Sequence, residues 1–102
     1  MTWVRAGRTG VDTGSILITD PCYVVRNPGD EHFEPYKSYD QLIGAVDFEA
    51  PYSQLTNQYG ADIGVYITHF GGDGVFAVYV DVDPKTKQVL GAQIRFDGGL
   101  PQ

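Results

Sequence analysis

Residues 63–82, IGVYITHF (63–70), GGDG (71–74) and VFAVYVDV (75–82), place two runs rich in β-branched and aromatic residues on either side of a four-residue glycine tract. Such runs favour a pleated, half-buried surface, and the tract between them can take the positive φ values of a tight turn, so the segment reads as a β-hairpin. With Phe70 facing Val75, His69 stands opposite Phe76, Ile67 opposite Val78, Val65 opposite Val80 and Ile63 opposite Val82, which makes one face apolar throughout. Tyr66, Thr68, Ala77, Tyr79 and Asp81 then occupy the other, mixed face. Beyond it, DPKTK (83–87) has the proline of a type I turn, and QVLGAQIRF (88–96) supplies a third strand. Pairing Val82 with Gln88 sets Leu90, Ala92 and Ile94 opposite Val80, Val78 and Phe76, extending the apolar face over a three-strand meander.

Upstream the signals are shorter. WVRAG (3–7) suits an edge strand, and SILITD (15–20) a firmer one, stopped by Pro21, which removes a ladder donor. Residues 23–25, YVV, could resume the extended path. Ser38 and Gln41 have the spacing of a capping box, with Leu42, Ile43 and Val46 on one side of a helix of two to three turns that Pro51 limits. The expected fold is therefore mainly β (α+β): a curved antiparallel sheet or small barrel, with the C-terminal meander and one short helix.

The chain of 102 residues fits one domain, 1–102, and its 42% apolar and 20% charged residues place it with globular proteins. Thirteen acidic residues against seven basic ones give a net charge of −6. The cations, Arg5, Arg8, Arg26, Lys37, Lys85, Lys87 and Arg95, are scattered along the sequence, so duplex nucleic acid is not an expected partner. No run approaches the length of a membrane span, and the N-terminal residues do not resemble a secretion signal. With Cys22 as the single cysteine, a reducing cytoplasm is the expected compartment. RNPGDEHFEPY (26–36) reads as a surface loop.

Chemistry would most naturally sit at Asp20-Pro21-Cys22-Tyr23, at a strand end, although each residue also has an ordinary structural use: a turn-closing aspartate, a small buried thiol, a half-core ring. A cysteine nucleophile needs a base, and His69 is a better placed imidazole than His32; no third, orienting residue accompanies the pair, so Cys22 and His69 are weak catalytic candidates. Asp12, Asp20, Asp73 and Asp97 offer hard oxygen ligands but match no calcium loop, and no metal site is expected. GGDG lacks the following helix and the Lys-Ser/Thr pair of a phosphate cradle, so no cofactor is expected. Tyrosines are more suggestive. Tyr23, Tyr36, Tyr39, Tyr52 and Tyr59 crowd the middle of the chain beside Phe33 and Phe48, where they suit a binding surface or the roof of a thin core.

Thr13, Gly14, Ile16, Ile18, Asp20, Pro21, Cys22 and Tyr23, followed by Gly72, Asp73, Gly74, Phe76, Val78 and Tyr79, form a joint pattern that resembles a group of small bacteriophage and bacterial proteins. The resemblance covers about a quarter of the chain. It implies a β-rich domain in a phage or prophage setting and brings no reaction, cofactor or catalytic residue. The expected function is that of an accessory protein acting by stoichiometric binding, blocking a host protein or sequestering a small ligand, in the manner of a counter-defence factor. Its binding residues would be Asp20, Tyr23, Tyr36, Tyr39, Tyr52, Tyr59 and Asp73. The alternatives are a small hydrolase or transferase using Asp20, Cys22, His69 and Asp73, and a minor virion component, which would need an oligomer interface that no segment marks.

Overall fold

The computed structural model describes residues 2–24 and 38–102. Tyr36 and the loop tract 26–36 lie outside the described residues. Among the described residues, six strands and one short helix follow in the order β1 (Trp3–Val11), β2 (Ile16–Thr19), a 3-10 turn (Pro21–Tyr23), α1 (Tyr39–Gly44), β3 (Tyr52–Thr56), β4 (Asp62–Ile67), β5 (Gly74–Val82) and β6 (Val89–Arg95). The fold is mainly β, with two three-stranded antiparallel sheets ordered β1-β5-β6 and β2-β4-β3. Each sheet keeps two edges, so no barrel closes among the described residues. Contacts gather into two compact units, Met1–Gly14 with Gly71–Gln102, and Ser15–Phe70.

The expected hairpin across GGDG is not formed, because β4 and β5 belong to different sheets. Val78 pairs with Gly7 and Ile94, and Ile67 with Ile16 and Tyr52. The connection from 68 to 73 takes positive φ at His69 (60°), Gly71 (104°) and Gly72 (97°), a path that carries the chain out of one sheet before the next begins. The C-terminal meander is therefore replaced by a sheet in which β1, not β4, flanks β5.

In the first unit, β5 and β6 do form a hairpin, with Val78 opposite Ile94 and Val80 opposite Ala92. That register lies two residues from the expected one, so the same residues share a face. The shift has a local cause: the turn closes with Lys87 N–H donating to the Asp83 carbonyl, Lys87 adopts a φ of 64°, and a bulge follows at Asp81/Val82. The Asp83 carboxylate accepts from the Lys85 and Thr86 amides at 2.8 and 3.1 Å, and these bonds hold its pKa below the usual carboxylate value. Strand β1 runs further than expected, to Val11, with a bulge between Arg5 and Gly7.

In the second unit, Leu55, Ile63 and Tyr66 form the buried cluster, and Leu17, Tyr23, Leu42 and Val46 pack against it. Tyr66 is thus core, where the alternation placed it on the mixed face. The bulge at Leu55/Thr56 explains how Ile63 joins Tyr66 and Leu55, because it breaks the two-residue alternation along β4. Helix α1 starts as expected, with Gln41 N–H donating to Ser38 Oγ at 3.2 Å, but spans only six residues. Residues 21–23 form the 3-10 turn, since Pro21 at its first position fixes φ and has no N–H to lose, so Tyr23 does not resume the strand expected over 23–25, of which Val25 lies outside the described residues.

Candidate functional site

Asp20 closes the end of β2. Its Oδ1 accepts from the Cys22 amide at 3.0 Å and its carbonyl from the Tyr23 amide at 3.0 Å, so the side chain caps the 3-10 turn. The bonds from Cys22 stabilise the ionised carboxylate and lower its pKa. The same carboxylate acts oppositely on the exposed Cys22 thiol: a hydrogen bond to Asp20, aided by slight desolvation and charge repulsion, raises the thiol pKa. A nucleophilic cysteine needs a base or cation beside it, whereas Cys22 has an anion. Tyr23 is half-buried against the core cluster, which gives its ring a packing role.

His69 is exposed and follows β4; Phe76, its expected partner, pairs with Thr9. His69 Nε2 lies 2.9 Å from the Phe48 carbonyl, which can only accept, so this nitrogen carries the proton. The bond joins a second set of contacts around β4. Thr68 Oγ1 donates to the Ala50 carbonyl at 3.1 Å, Thr68 N–H donates to the Pro51 carbonyl at 2.9 Å, and the Phe48 ring meets Tyr66 edge-on at 6.2 Å. His69 thus helps fasten segment 48–51 to the sheet.

Among the described tyrosines, Tyr52 and Tyr59 stand at opposite ends of β3. Tyr52 opens β3 and Tyr59 sits beyond its other end, in the Asn57–Ala61 turn, where Asn57 Oδ1 accepts from the Tyr59 and Ala61 amides. They are 67% and 84% exposed. Tyr39 lies in the first turn of α1, exposed, and its hydroxyl interacts with that of buried Tyr66.

Cross-strand pairing reveals a surface that the sequence reading did not anticipate. One face of β2-β4-β3 carries Leu17, Tyr66 and Leu55 towards the core; the other carries two rows, Ile16–Ile67–Tyr52 and Ile18–Val65–Gln54. Ile18 is 53% exposed, while Ile16, Val65 and Ile67 are half-buried. The signal available beforehand was Ile16, Leu17 and Ile18, aliphatic on both parities of 15–20, together with the Tyr66 ring set between Val65 and Ile67, which marks a sheet apolar on two faces.

Asp73 is exposed and belongs to the first unit, whereas Asp20, Cys22 and His69 belong to the second. Its turn meets the one after β1: a Cβ on Gly14 would lie 3.8 Å from Gly72 Cα and 3.9 Å from Asp73 Oδ1. Thr13-Gly14 and Gly72-Asp73-Gly74, distant in sequence, are therefore neighbours at the end of the β1/β5 ladder. Gly74 is further constrained by the Phe76 ring, whose Cζ would be 3.3 Å from an added Cβ.

Among the described residues no three His, Cys, Asp or Glu side chains gather as a metal site, and no helix is long and apolar enough to cross a membrane. No family model, curated protein or solved structure matches the chain.

Proposed function

We propose that the protein acts by stoichiometric binding, using the outer face of β2-β4-β3 against a protein partner. The observation that carries this reading is the pair of apolar rows containing Ile16, Ile18, Tyr52, Val65 and Ile67 on a sheet whose other face already holds the core. A contiguous apolar surface with an exposed aromatic suits protein contact better than it suits solvent. The unit that bears it has eight acidic residues, Asp20, Asp30, Glu31, Glu34, Asp40, Asp47, Glu49 and Asp62, against Arg26 and Lys37, which favours a partner with a basic rim. In the phage or prophage setting suggested by the two motifs, that partner is a host protein met in the bacterial cytosol. The acid beside Cys22 and the carbonyl held by His69 weigh against nucleophilic chemistry at those residues.

The test is affinity capture from host lysate with the wild type and with Ile18→Asp and Tyr52→Ser, all matched for folding by circular dichroism. A protein retained by the wild type and lost with both variants supports the reading. Identical captures with all three would overturn it.

A further inference from the structure

The first unit carries a second surface of different chemistry. Its sheet aligns Arg8–Ala77–Arg95 in one row, Arg5–Tyr79–Gln93 in the next and Trp3–Asp81–Gly91 in the third. Residues paired across antiparallel strands point to the same side, and the Trp3 ring confirms it here, with Cη2 3.6 Å from the Cβ position of Gly91. Three arginines scattered in sequence thus share one sheet face around Tyr79. The bulge between Arg5 and Gly7 matters, because without it Arg5 and Arg8, three residues apart, would point to opposite sides.

Charge is divided unevenly along the chain. The first unit holds five of the seven cations, Arg5, Arg8, Lys85, Lys87 and Arg95, against five aspartates. Of the aspartates on or beside this face, Asp81 is buried and accepts from the Thr2 amide at 3.0 Å. Asp97 binds Arg95 at 2.6 Å and caps the Gly99 amide, holding that guanidinium in place while offsetting part of its charge. Gln93 is tied to the backbone of Gln102. Arg5 and Arg8 are exposed on the edge strand.

We infer that this face binds a short segment of single-stranded nucleic acid, with Arg5, Arg8 and Arg95 taking phosphates and Tyr79 stacking on an unpaired base. Strands about 4.8 Å apart set Arg8 and Arg95 roughly 10 Å from each other, a spread that suits successive phosphates better than one small anion. Half-buried Tyr79, one row along on the central strand and paired with Arg5, supplies an aromatic ring to this face, on which a base can stack only when it is not stacked within a duplex. The arginines on one face with a ring among them make a small version of the charged stacking platform that single strands favour.

The test is fluorescence anisotropy at low salt with a labelled oligothymidylate of about twelve nucleotides, within the span of a small sheet domain. Matched duplex, thymidine monophosphate and polyglutamate serve as competitors. Arg5→Ala and Arg8→Ala should each weaken binding about three- to tenfold and flatten the slope of log affinity against log salt by about 0.7, with Lys at either position restoring the slope. Tyr79→Leu should weaken binding about tenfold and leave the slope unchanged. Emission from Trp3, the single tryptophan, should change on titration of the intact protein, which keeps the test independent of any variant's folding. Absence of binding would overturn the inference. So would arginine variants that bind like the wild type, competition by duplex or polyglutamate equal to that of the oligonucleotide, or equal affinity for the monophosphate.

Discussion

The Ser15 and Tyr66 hydroxyls lie 2.6 Å apart, joining the residue just before β2 to the central strand of its sheet. Tyr66 is 3% exposed, so its phenol is stripped of bulk water and depends on this partner and on Tyr39. Burial raises its pKa above the ordinary tyrosine value, the Ser15 bond pulls it down, and the Tyr39 hydroxyl raises it again. Tyr66→Phe should destabilise the protein by about 1 kcal/mol in urea unfolding. Ser15→Ala should cost as much or more, because it leaves a buried phenol short of a partner.

The same group gives a pH dependence with a definite sign. Since the folded pKa exceeds the unfolded value of about 10, the unfolded chain loses its proton first as pH rises. Stability from the neutral phenol is therefore complete below pH 10 and declines above it, through the folded pKa. Denaturant midpoints measured on both sides of that value should fall more steeply for the wild type than for Tyr66→Phe; equal slopes would contradict the assignment.

Gly64 fixes how closely β2 approaches β4. A Cβ there would stand 2.8 Å from the Ile18 carbonyl oxygen and 3.1 Å from Thr19 Cβ, and backbone cannot yield as a flexible side chain does. Gly64→Ala is expected to cost about 1–3 kcal/mol by overpacking. Leu55→Ala, at a residue 2% exposed, should cost about 2–5 kcal/mol through a cavity. Urea unfolding of the two variants checks both values.

Cys22 is exposed yet should react slowly. Asp20 favours its protonated form, so alkylation by iodoacetamide near pH 8 is expected to be slower than for an unstructured cysteine peptide. Asp20→Asn should speed it by removing the negative charge while keeping a side-chain acceptor for the turn. An unchanged rate would mean that Asp20 does not control the thiol.

Local signals in the sequence were legible where one residue decides the matter. Ser38 capped the helix, Pro21 stopped β2, and the β-branched content of 75–82 and 88–96 marked a true hairpin. Pairing between distant strands was not legible. Adjacent strands pair by default, and β3, YSQLT, has too few β-branched residues to announce itself as the partner of β4. Without β3, the apolar set of β4 had only β5 to meet. Tyr66 was misplaced for a related reason: strict alternation assigns it opposite to Ile63, whereas the Leu55/Thr56 bulge lets both reach one core. The arginine face was hidden in the same way, since the bulge after Arg5 and the strand order β1-β5-β6 together create it.

The most direct measurement is a titration of the captured host partner, by calorimetry, against the wild type, Cys22→Ser and Ile18→Asp, each verified as folded. Binding through the outer sheet face should saturate at a fixed stoichiometry for the wild type and for Cys22→Ser with equal affinity, and Ile18→Asp should weaken it at least tenfold, as expected for a charge placed in a desolvated apolar contact. Undiminished binding by Ile18→Asp, or loss of binding in a folded Cys22→Ser protein, would contradict this account.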